Sequence, residues 1–294
     1  MKHSYKFALF GNNYPSNNLH SIKQIINTVR RYSDFIYIES DFYHFINPLL
    51  EKPIPEKFIF KGPDFQADFA ISIGGDGTFL KTACLVRDKE IPILSFNTGR
   101  LGFMADALPD EIEAAMEDLL QGRFEIEQRS VLYLEKESGA CQNHPYALNE
   151  IAILKRDNSS MITIETYINN EYLTSYQADG LVICTPTGST GYSLSVGGPI
   201  MEPQARTIGL TAVAPHSLNV RPLVCFDDVQ IRLKVKSRSH NFLIAIDGRS
   251  ERCEEGCTLF IRKAPYTVRF IRRNGKRFID TLREKLMWGA DPRN

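Results

Sequence analysis

What the 294-residue chain lacks narrows its class before any motif is read. No apolar stretch approaches the length that spans a membrane. The short run Phe7 to Phe10 is cut off by Gly11, Asn12 and Asn13, too early for the core of a secretory leader. Charge of either sign is not in excess, because Lys plus Arg equal Asp plus Glu at 35 each. No global field draws the chain to nucleic acid or to a membrane surface, so an anionic ligand has to be met by a local site. Cysteines are few and scattered. Cys84, Cys184 and Cys225 sit in apolar runs and read as buried thiols. Cys253 and Cys257 are spaced like half a zinc site, but no second Cys/His pair follows, and they read as structural. This usage fits a reducing, cytoplasmic setting. Internal repeats and low-complexity segments are also missing. With 43% hydrophobic residues the chain can bury a substantial core, and its length allows two domains or one large one.

The first third alternates two periodicities. Tyr5 to Phe10, Phe35 to Glu39, Phe69 to Ile73 and Ile91 to Phe96 read as strands. Between them, Leu19, Ile22, Ile25, Ile26 and Val29 recur at helical spacing, with Ser16 and Asn17 as candidate caps. Residues 41–50 read as helical until Pro48. Pro53, Pro55 and Pro63 mark a loop, and Ile112, Ala115, Met116, Leu119 and Leu120 line one helix face after Pro109. This alternation predicts an α/β domain with a parallel sheet over residues 1–123. From residue 124 to 273 the pattern changes to closely spaced short β runs, with Asn169-Asn170 as a hairpin turn, and predicts an all-β, sandwich-like domain. Residues 274–294 turn helical at Phe278, Ile279, Leu282 and Leu286, and are expected to leave the β domain and pack back on the first.

Two constellations carry chemistry. Gly74-Gly75-Asp76-Gly77 follows the strand Phe69 to Ile73 and precedes a helix expected over Thr78 to Arg87. Gly75 and Gly77 expose main chain, and a helix start offers free N–H groups that suit phosphate. A carboxylate at such a turn suggests phosphoryl transfer, although glycine-rich turns and Asp at helix starts also have purely local causes. No Gly-Lys-Ser/Thr follows, so it is not a Walker loop, and the G-x-G-x-x-G spacing of a dinucleotide fingerprint is missing. The second constellation runs from Asp179 to Pro199. An apolar strand, Leu181 to Cys184, enters a loop rich in hydroxyls (Thr187, Ser189, Thr190) and glycines (Gly188, Gly191), followed by Tyr192, a ring able to stack on a base. Alternatively it is a capped turn before a short helix. Asn149-Glu150 is a weaker third element at a strand edge. Asn carries both a donor and an acceptor for a base edge, and Glu can grip two neighbouring ribose hydroxyls.

The combination resembles the NAD kinase family of bacterial type. The likeness rests on Gly74 to Gly77, Asn149-Glu150 and Thr185-Pro186-Thr187-Gly188-Ser189-Thr190-Gly191-Tyr192. The segments Asn97 to Phe103, Pro215 to Leu223 and Asp247-Gly248 add to it, in one order over nearly the whole chain. The glycine-aspartate turn alone is shared with lipid kinases and phosphofructokinases; the Asn-Glu pair with the Thr-Pro-Thr-Gly-Ser-Thr loop is more specific. The resemblance implies transfer of the γ-phosphoryl of ATP to the 2′-hydroxyl of the adenosine ribose of NAD, giving NADP. A divalent cation, Mg2+, would be carried mainly by the ATP phosphates, with no metal held by protein ligands alone.

Carried over residue by residue, the resemblance makes Asp76 the general base. Asn149 and Thr190 read the adenine, Tyr192 packs on it, and Phe103 closes over that side. Glu150 grips ribose hydroxyls, and Thr187 belongs to the same loop. Asp179, Ala214 and Gly191 serve the nicotinamide-riboside half, with Ser195 on the same wall. Gln177 stands where some relatives carry Arg or Gly, and a polar residue there goes with preference for NAD over NADH. Gly191 departs from the family's usual Ser-Thr-Ala-Tyr, which implies a looser wall. Lys81 and Arg249 are candidate phosphate contacts, or else ordinary solvated charges, and Arg100 has the same two readings. The family forms homodimers and homotetramers, and neither nucleic acid nor membrane is an expected partner. The alternatives are a lipid kinase of the diacylglycerol or sphingosine type, and an NAD(P)-binding regulator without turnover.

Overall fold

The computed structural model describes residues 4–12, 18–99, 102–104, 107–137, 139–140, 144–156, 160–273 and 277–287. The expected caps Ser16 and Asn17, and Arg100, lie outside the described residues. In chain order the elements begin with β1 (Phe7–Gly11), α1 (Leu19–Tyr32), β2 (Ile36–Glu39), α2 (Ser40–Ile46) and β3 (Ile59–Phe60). They continue with β4 (Phe69–Ile73), α3 (Asp76–Val86), β5 (Ile93–Phe96), α4 (Ile112–Leu120) and β6 (Phe124–Arg129). Next come β7 (Leu132–Lys136), β8 (Gly139–Ala140), β9 (Tyr146–Ala147), β10 (Glu150–Lys155), β11 (Ile162–Ile168), β12 (Glu171–Ala178) and β13 (Gly180–Cys184). After them run α5 (Tyr192–Ser195), β14 (Thr207–Val213), β15 (Leu223–Phe226), β16 (Ile231–Lys236), β17 (Asn241–Ile246) and β18 (Arg249–Glu254). The chain ends in β19 (Thr258–Lys263), β20 (Val268–Arg273) and α6 (Phe278–Leu286).

Two compact units result, residues 1–128 with 268–294 and residues 129–267. The first is α/β. Its sheet runs β3-β2-β1-β4-β5-β20-β6. The pairs from β3 through to β20 are parallel. Phe7, Leu9, Ile71, Leu94 and Phe96 from the strands are buried against Ile22, Ile25, Ile26 and Val29 of α1 and against Ile112, Ala115 and Met116 of α4. That apolar stripe at helical spacing is why α1 forms and which face it buries.

The domain boundaries differ from the sequence reading. β6 and β20, placed by their β pattern in residues 124–273, belong to the first sheet, where Phe270 of β20 pairs with Ile93. A strand's own residues specify that it is extended, while its neighbour is chosen by long-range burial. Helix α6 also lies in the first unit. Pro48 ends α2 in a 3-10 turn at Asn47–Leu49, as its missing N–H requires.

The second unit is a sandwich of antiparallel strands, ordered β15-β14-β13-β10-β17-β18 and β12-β11-β16-β19-β7-β8, with β9 on β7. Alternate residues of each sheet point into one shared core. Ile151, Ile153, Leu181, Ile183, Phe242 and Ile244 face Ile162, Ile164, Leu233, Leu259 and Ile261, all buried. Asn169 and Asn170 have φ of 49° and 69°, the two positive angles of a type I′ hairpin between β11 and β12. On the far face of the first sheet, Ala152, Val182, Cys184 and Met201 are covered by Tyr192 and Val196. The loop after β13 therefore folds flat over the end of its own sheet. Phe242 is fully buried at the middle of this sandwich. Phe242→Ala is expected to cost about 3–5 kcal/mol, seen as a lower urea midpoint; an unshifted midpoint would show that the inner faces do not set this unit's stability.

Candidate active site

In the first unit β4 ends at Ile73, and α3 starts at Asp76, two residues earlier than its sequence pattern indicates. Asp76 and Gly77 therefore belong to the helix's first turn. No side chain caps this helix; the Gly75 carbonyl accepts from the N–H groups of Thr78 (3.0 Å) and Phe79 (3.1 Å). Its leading N–H groups carry the partial positive charge of a helix start. The Asp76 side chain reaches the loop after β5. Its Oδ2 accepts from the Phe103 N–H (2.9 Å) and its Oδ1 from the Met104 N–H (3.1 Å). A Cβ on Gly102 would collide with this carboxylate, so only glycine leaves room for it. Lys285 of α6 stands 5.1 Å from the centre of the Phe103 ring. Lys81, further along α3, bonds Glu39 (3.1 Å) and lies near Asp41 (3.7 Å). Glu39 is buried and caps α2 through the Phe42 N–H (3.2 Å). Lys81 thus neutralises a buried cap in this structure.

In the second unit, Asn149 precedes β10 and Glu150 opens it, and a half-buried carboxylate organises them. Asp247, just after β17 with φ of 46°, accepts from three successive N–H groups: Leu148 (2.8 Å), Asn149 (2.8 Å) and Glu150 (3.1 Å). The loop after β13 is fastened to the same turn. Thr185 donates its hydroxyl to the Leu148 carbonyl (2.5 Å) and its N–H to that of Asn149 (2.9 Å). The Ser189 hydroxyl ties Pro186 to Met201. Thr187 and Thr190 lie in a 3-10 turn, Thr187–Thr190, where the Thr190 hydroxyl bonds the Thr187 carbonyl (3.3 Å). A Cβ built on Gly191 would stand 3.0 Å from Glu150 Oε2 and 3.5 Å from Asn149 Nδ2, so the loop and the Asn-Glu pair enclose one small volume. Asn149 Oδ1, Glu150 Oε2 and Thr187 Oγ1 are buried there with no hydrogen-bond partner among the described residues. Burial, and next the neighbouring Asp247, push the Glu150 carboxyl up to about 7, against the pull of the Tyr192 N–H. Ser195 is exposed at the end of α5.

Arg249, on β18, donates to the carbonyls of Ile246 and Tyr146, each at 3.1 Å. It acts here as a tie within the sandwich beside Asp247. Gln177, Asp179 and Ala214 form a separate group. The Asp179 N–H bonds the Val213 carbonyl (2.9 Å), the His216 N–H bonds the Gln177 carbonyl (2.8 Å), and Lys155 pairs with the Asp179 carboxylate (2.7 Å). This group sits at the opposite end of β13 from the Thr185 loop, roughly 17 Å away for a strand of this length. The structure thus gathers Asn149, Glu150, Thr187, Thr190, Gly191 and Tyr192 at one end, and leaves Gln177, Asp179 and Ala214 together at the other.

Comparison with known proteins supplies the family. Residues 28–124 match the ATP-NAD kinase N-terminal domain and residues 148–273 the ATP-NAD kinase C-terminal domain. The chain belongs to the NAD kinase family. It is 53% identical to the NAD kinase of Bacteroides fragilis, over 98% of this chain and 99% of that protein. It is 42% identical to that of Christiangramia forsetii, over 98% and 100%. Among solved structures the fold matches a yeast NADH kinase complexed with NADH, with TM-score 0.86, 22% identity and coverage of 98% and 89%. It also matches an Archaeoglobus fulgidus NAD kinase in complex with ATP, with TM-score 0.72, 23% identity and coverage of 94% and 96%. These matches lend no support to the lipid-kinase alternative.

Gly102, Thr185 and Asp247 shape the site but were given no role from the NAD kinase motifs. Gly102 and Asp247 fall in segments that carry the resemblance, and that was their only sequence signal. Gly102→Ala is expected to displace the Asp76 carboxylate and cut NADP formation roughly 100-fold, measured as kcat with folding checked by circular dichroism. An unchanged kcat would mean that the Phe103 and Met104 contacts do not matter to turnover.

Proposed function

We propose that this NAD kinase moves the γ-phosphoryl of ATP to the 2′-hydroxyl of NAD with Asp76 as the general base. The carrying observation is the pair of buried acceptors without donors, Asn149 Oδ1 and Glu150 Oε2. Leaving such atoms unpaired costs about 1–3 kcal/mol each, which a ligand offering N–H and O–H donors recovers. An adenine amino group suits Asn149, and ribose hydroxyls suit Glu150 as carboxylate. Thr190 reads the same base, the half-buried Tyr192 packs on it, and Phe103 closes that side. Asp179, with Ala214, Gly191 and the exposed Ser195, serves the nicotinamide-riboside half. Gln177 carries the preference for NAD over NADH.

At Asp76 each carboxylate oxygen uses one lone pair on an N–H and keeps another. It takes the hydroxyl proton as the bond to phosphorus forms and acidifies the alcohol. Positioning and charge stabilisation supply most of the acceleration in phosphoryl transfer. Gly75 and Gly77, at the uncapped start of α3, offer main chain to phosphate oxygens. The divalent cation enters with the ATP phosphates. Lys81 and Arg249 are further candidate phosphate contacts, although Lys81 already bonds Glu39 and Arg249 the Ile246 and Tyr146 carbonyls.

A cytoplasmic homodimer or homotetramer completes the reading. The edge strand β15 offers apolar surface for self-association, with Phe226 74% exposed and Val224 41%. The test of function is incubation with NAD and Mg-ATP, with products separated by chromatography. Asp76→Ala is expected to lower NADP formation by about 10²–10⁴-fold while NAD still raises the melting temperature. Undiminished turnover would remove Asp76 from the chemistry. Abolished turnover with retained binding also separates an enzyme from a regulator that only binds NAD(P).

A further inference from the structure

Among the described residues, the side chains that hold the main chain of the Asn149-Glu150 turn are Asp247 and Thr185. Asp247 is half-buried, and its φ of 46°, with 78° at Gly248, is the type I′ turn that joins β17 to β18, which holds its carboxylate at a fixed place beside residues 148 to 150. Its two oxygens bind the N–H groups of residues 148, 149 and 150, so any rotation of this turn breaks more than one charge-assisted bond. We propose that Asp247 is a positioning residue of the kinase reaction: through the main chain of residues 148 to 150 it fixes the Asn149 and Glu150 side chains for NAD. The proposal rests on the reading of Glu150 as the ribose-binding residue.

The charged and titratable groups around Glu150 come from three elements besides β10. Asp247 follows β17, Arg249 lies on β18 beside Asp247, and Cys184 of β13 pairs directly with Glu150 in the sheet. The Tyr192 N–H of α5 donates to the Glu150 carboxyl. Burial pushes the Cys184 thiol up to about 11, so it stays neutral across the working range. Burial also raises Asp247, while its three N–H donors and Arg249 pull it back. The proton that arrives on acidification goes to Glu150, whose Oε2 has no donor, rather than to Asp247, whose oxygens are engaged. Protonated Glu150 loses part of its capacity to accept from ribose hydroxyls, so NAD binding weakens as the pH falls through about 7.

The experiment measures kcat and KM for NAD and for ATP from pH 5.5 to 8.5 in the wild type, Glu150→Gln and Asp247→Asn. Wild-type kcat/KM for NAD is expected to fall below neutrality. Glu150→Gln should raise KM for NAD and flatten that profile. Asp247→Asn should raise KM for NAD about 10-fold with little change in KM for ATP. Because a negative neighbour is removed, the remaining pH break should move to lower pH. If Glu150→Gln leaves KM for NAD unchanged, the ribose assignment fails and takes this proposal with it. If Glu150→Gln behaves as expected but Asp247→Asn keeps the wild-type break, or raises both KM values alike, only the role of Asp247 is overturned. Should Asp247→Asn fail to fold, the wild-type profile decides: a break near neutrality that Glu150→Gln abolishes supports the proposal, and a flat one overturns it.

Discussion

In each unit the candidate residues depend on one kind of interaction, a carboxylate that accepts from main-chain N–H groups. Asp247 does this with residues 148 to 150, and Asp76 does it with residues 103 and 104. A charge-assisted bond of this sort is about twice as strong as a neutral one, and two or three on a single carboxylate fix a loop that has no regular structure of its own. The device also explains why neighbouring positions tolerate little. Gly102 admits no side chain because the Asp76 carboxylate fills that space, and Gly188 admits none because the Asn149 main chain does. The carboxylates therefore define the shape of the loops as well as their charge.

This arrangement leaves other polar atoms exposed to need. With its main chain satisfied by Asp247 and Thr185, the Asn149-Glu150 turn keeps two side-chain acceptors, Asn149 Oδ1 and Glu150 Oε2, without a partner among the described residues. A buried acceptor without a donor is a standing cost to the free protein and a source of affinity for a ligand that supplies the donor. The loop that carries Thr187 and Thr190 continues into Tyr192 and Val196, which pack over Ala152, Val182 and Cys184 on the outer face of the sandwich.

Much of this was legible in the residues. The alternation of strand and helix, the helical stripe of α1, the Asn-Asn hairpin and the Thr185 loop all follow from local patterns that the fold reproduces. Where sequence reading stopped, the missing information was tertiary. β18 reads Arg-Ser-Glu-Arg-Cys-Glu and has no apolar run, yet it forms because β17 offers it a partner edge. β6 and β20 read as ordinary strands, and nothing local says that they join the first sheet. Lys81 read as a candidate phosphate contact because Glu39, far back in the chain, could not be seen to face it. Asp247 read only as part of a segment that adds to the resemblance, whereas its carboxylate binds residues nearly a hundred positions earlier.

Gly191 shows how a single missing methyl fits the same logic. Its φ of −94° is one that alanine, the family's usual residue here, also adopts. Glycine instead adds about 0.5–1 kcal/mol of conformational cost relative to alanine, in a loop that is otherwise tightly bonded. What it gives in return is distance. An alanine Cβ would sit 3.0 Å from Glu150 Oε2, closer than a carbon normally approaches an oxygen, and would replace solvent or a ligand hydroxyl at the one carboxylate oxygen that has no partner. Burial is already the largest influence holding the Glu150 carboxyl near neutrality. A methyl pressed against it would deepen that burial and favour the protonated form further. Glycine at this position thus keeps open the approach to the oxygen on which the ribose contact relies, in a wall where Asp247 has already pushed the same group toward neutrality.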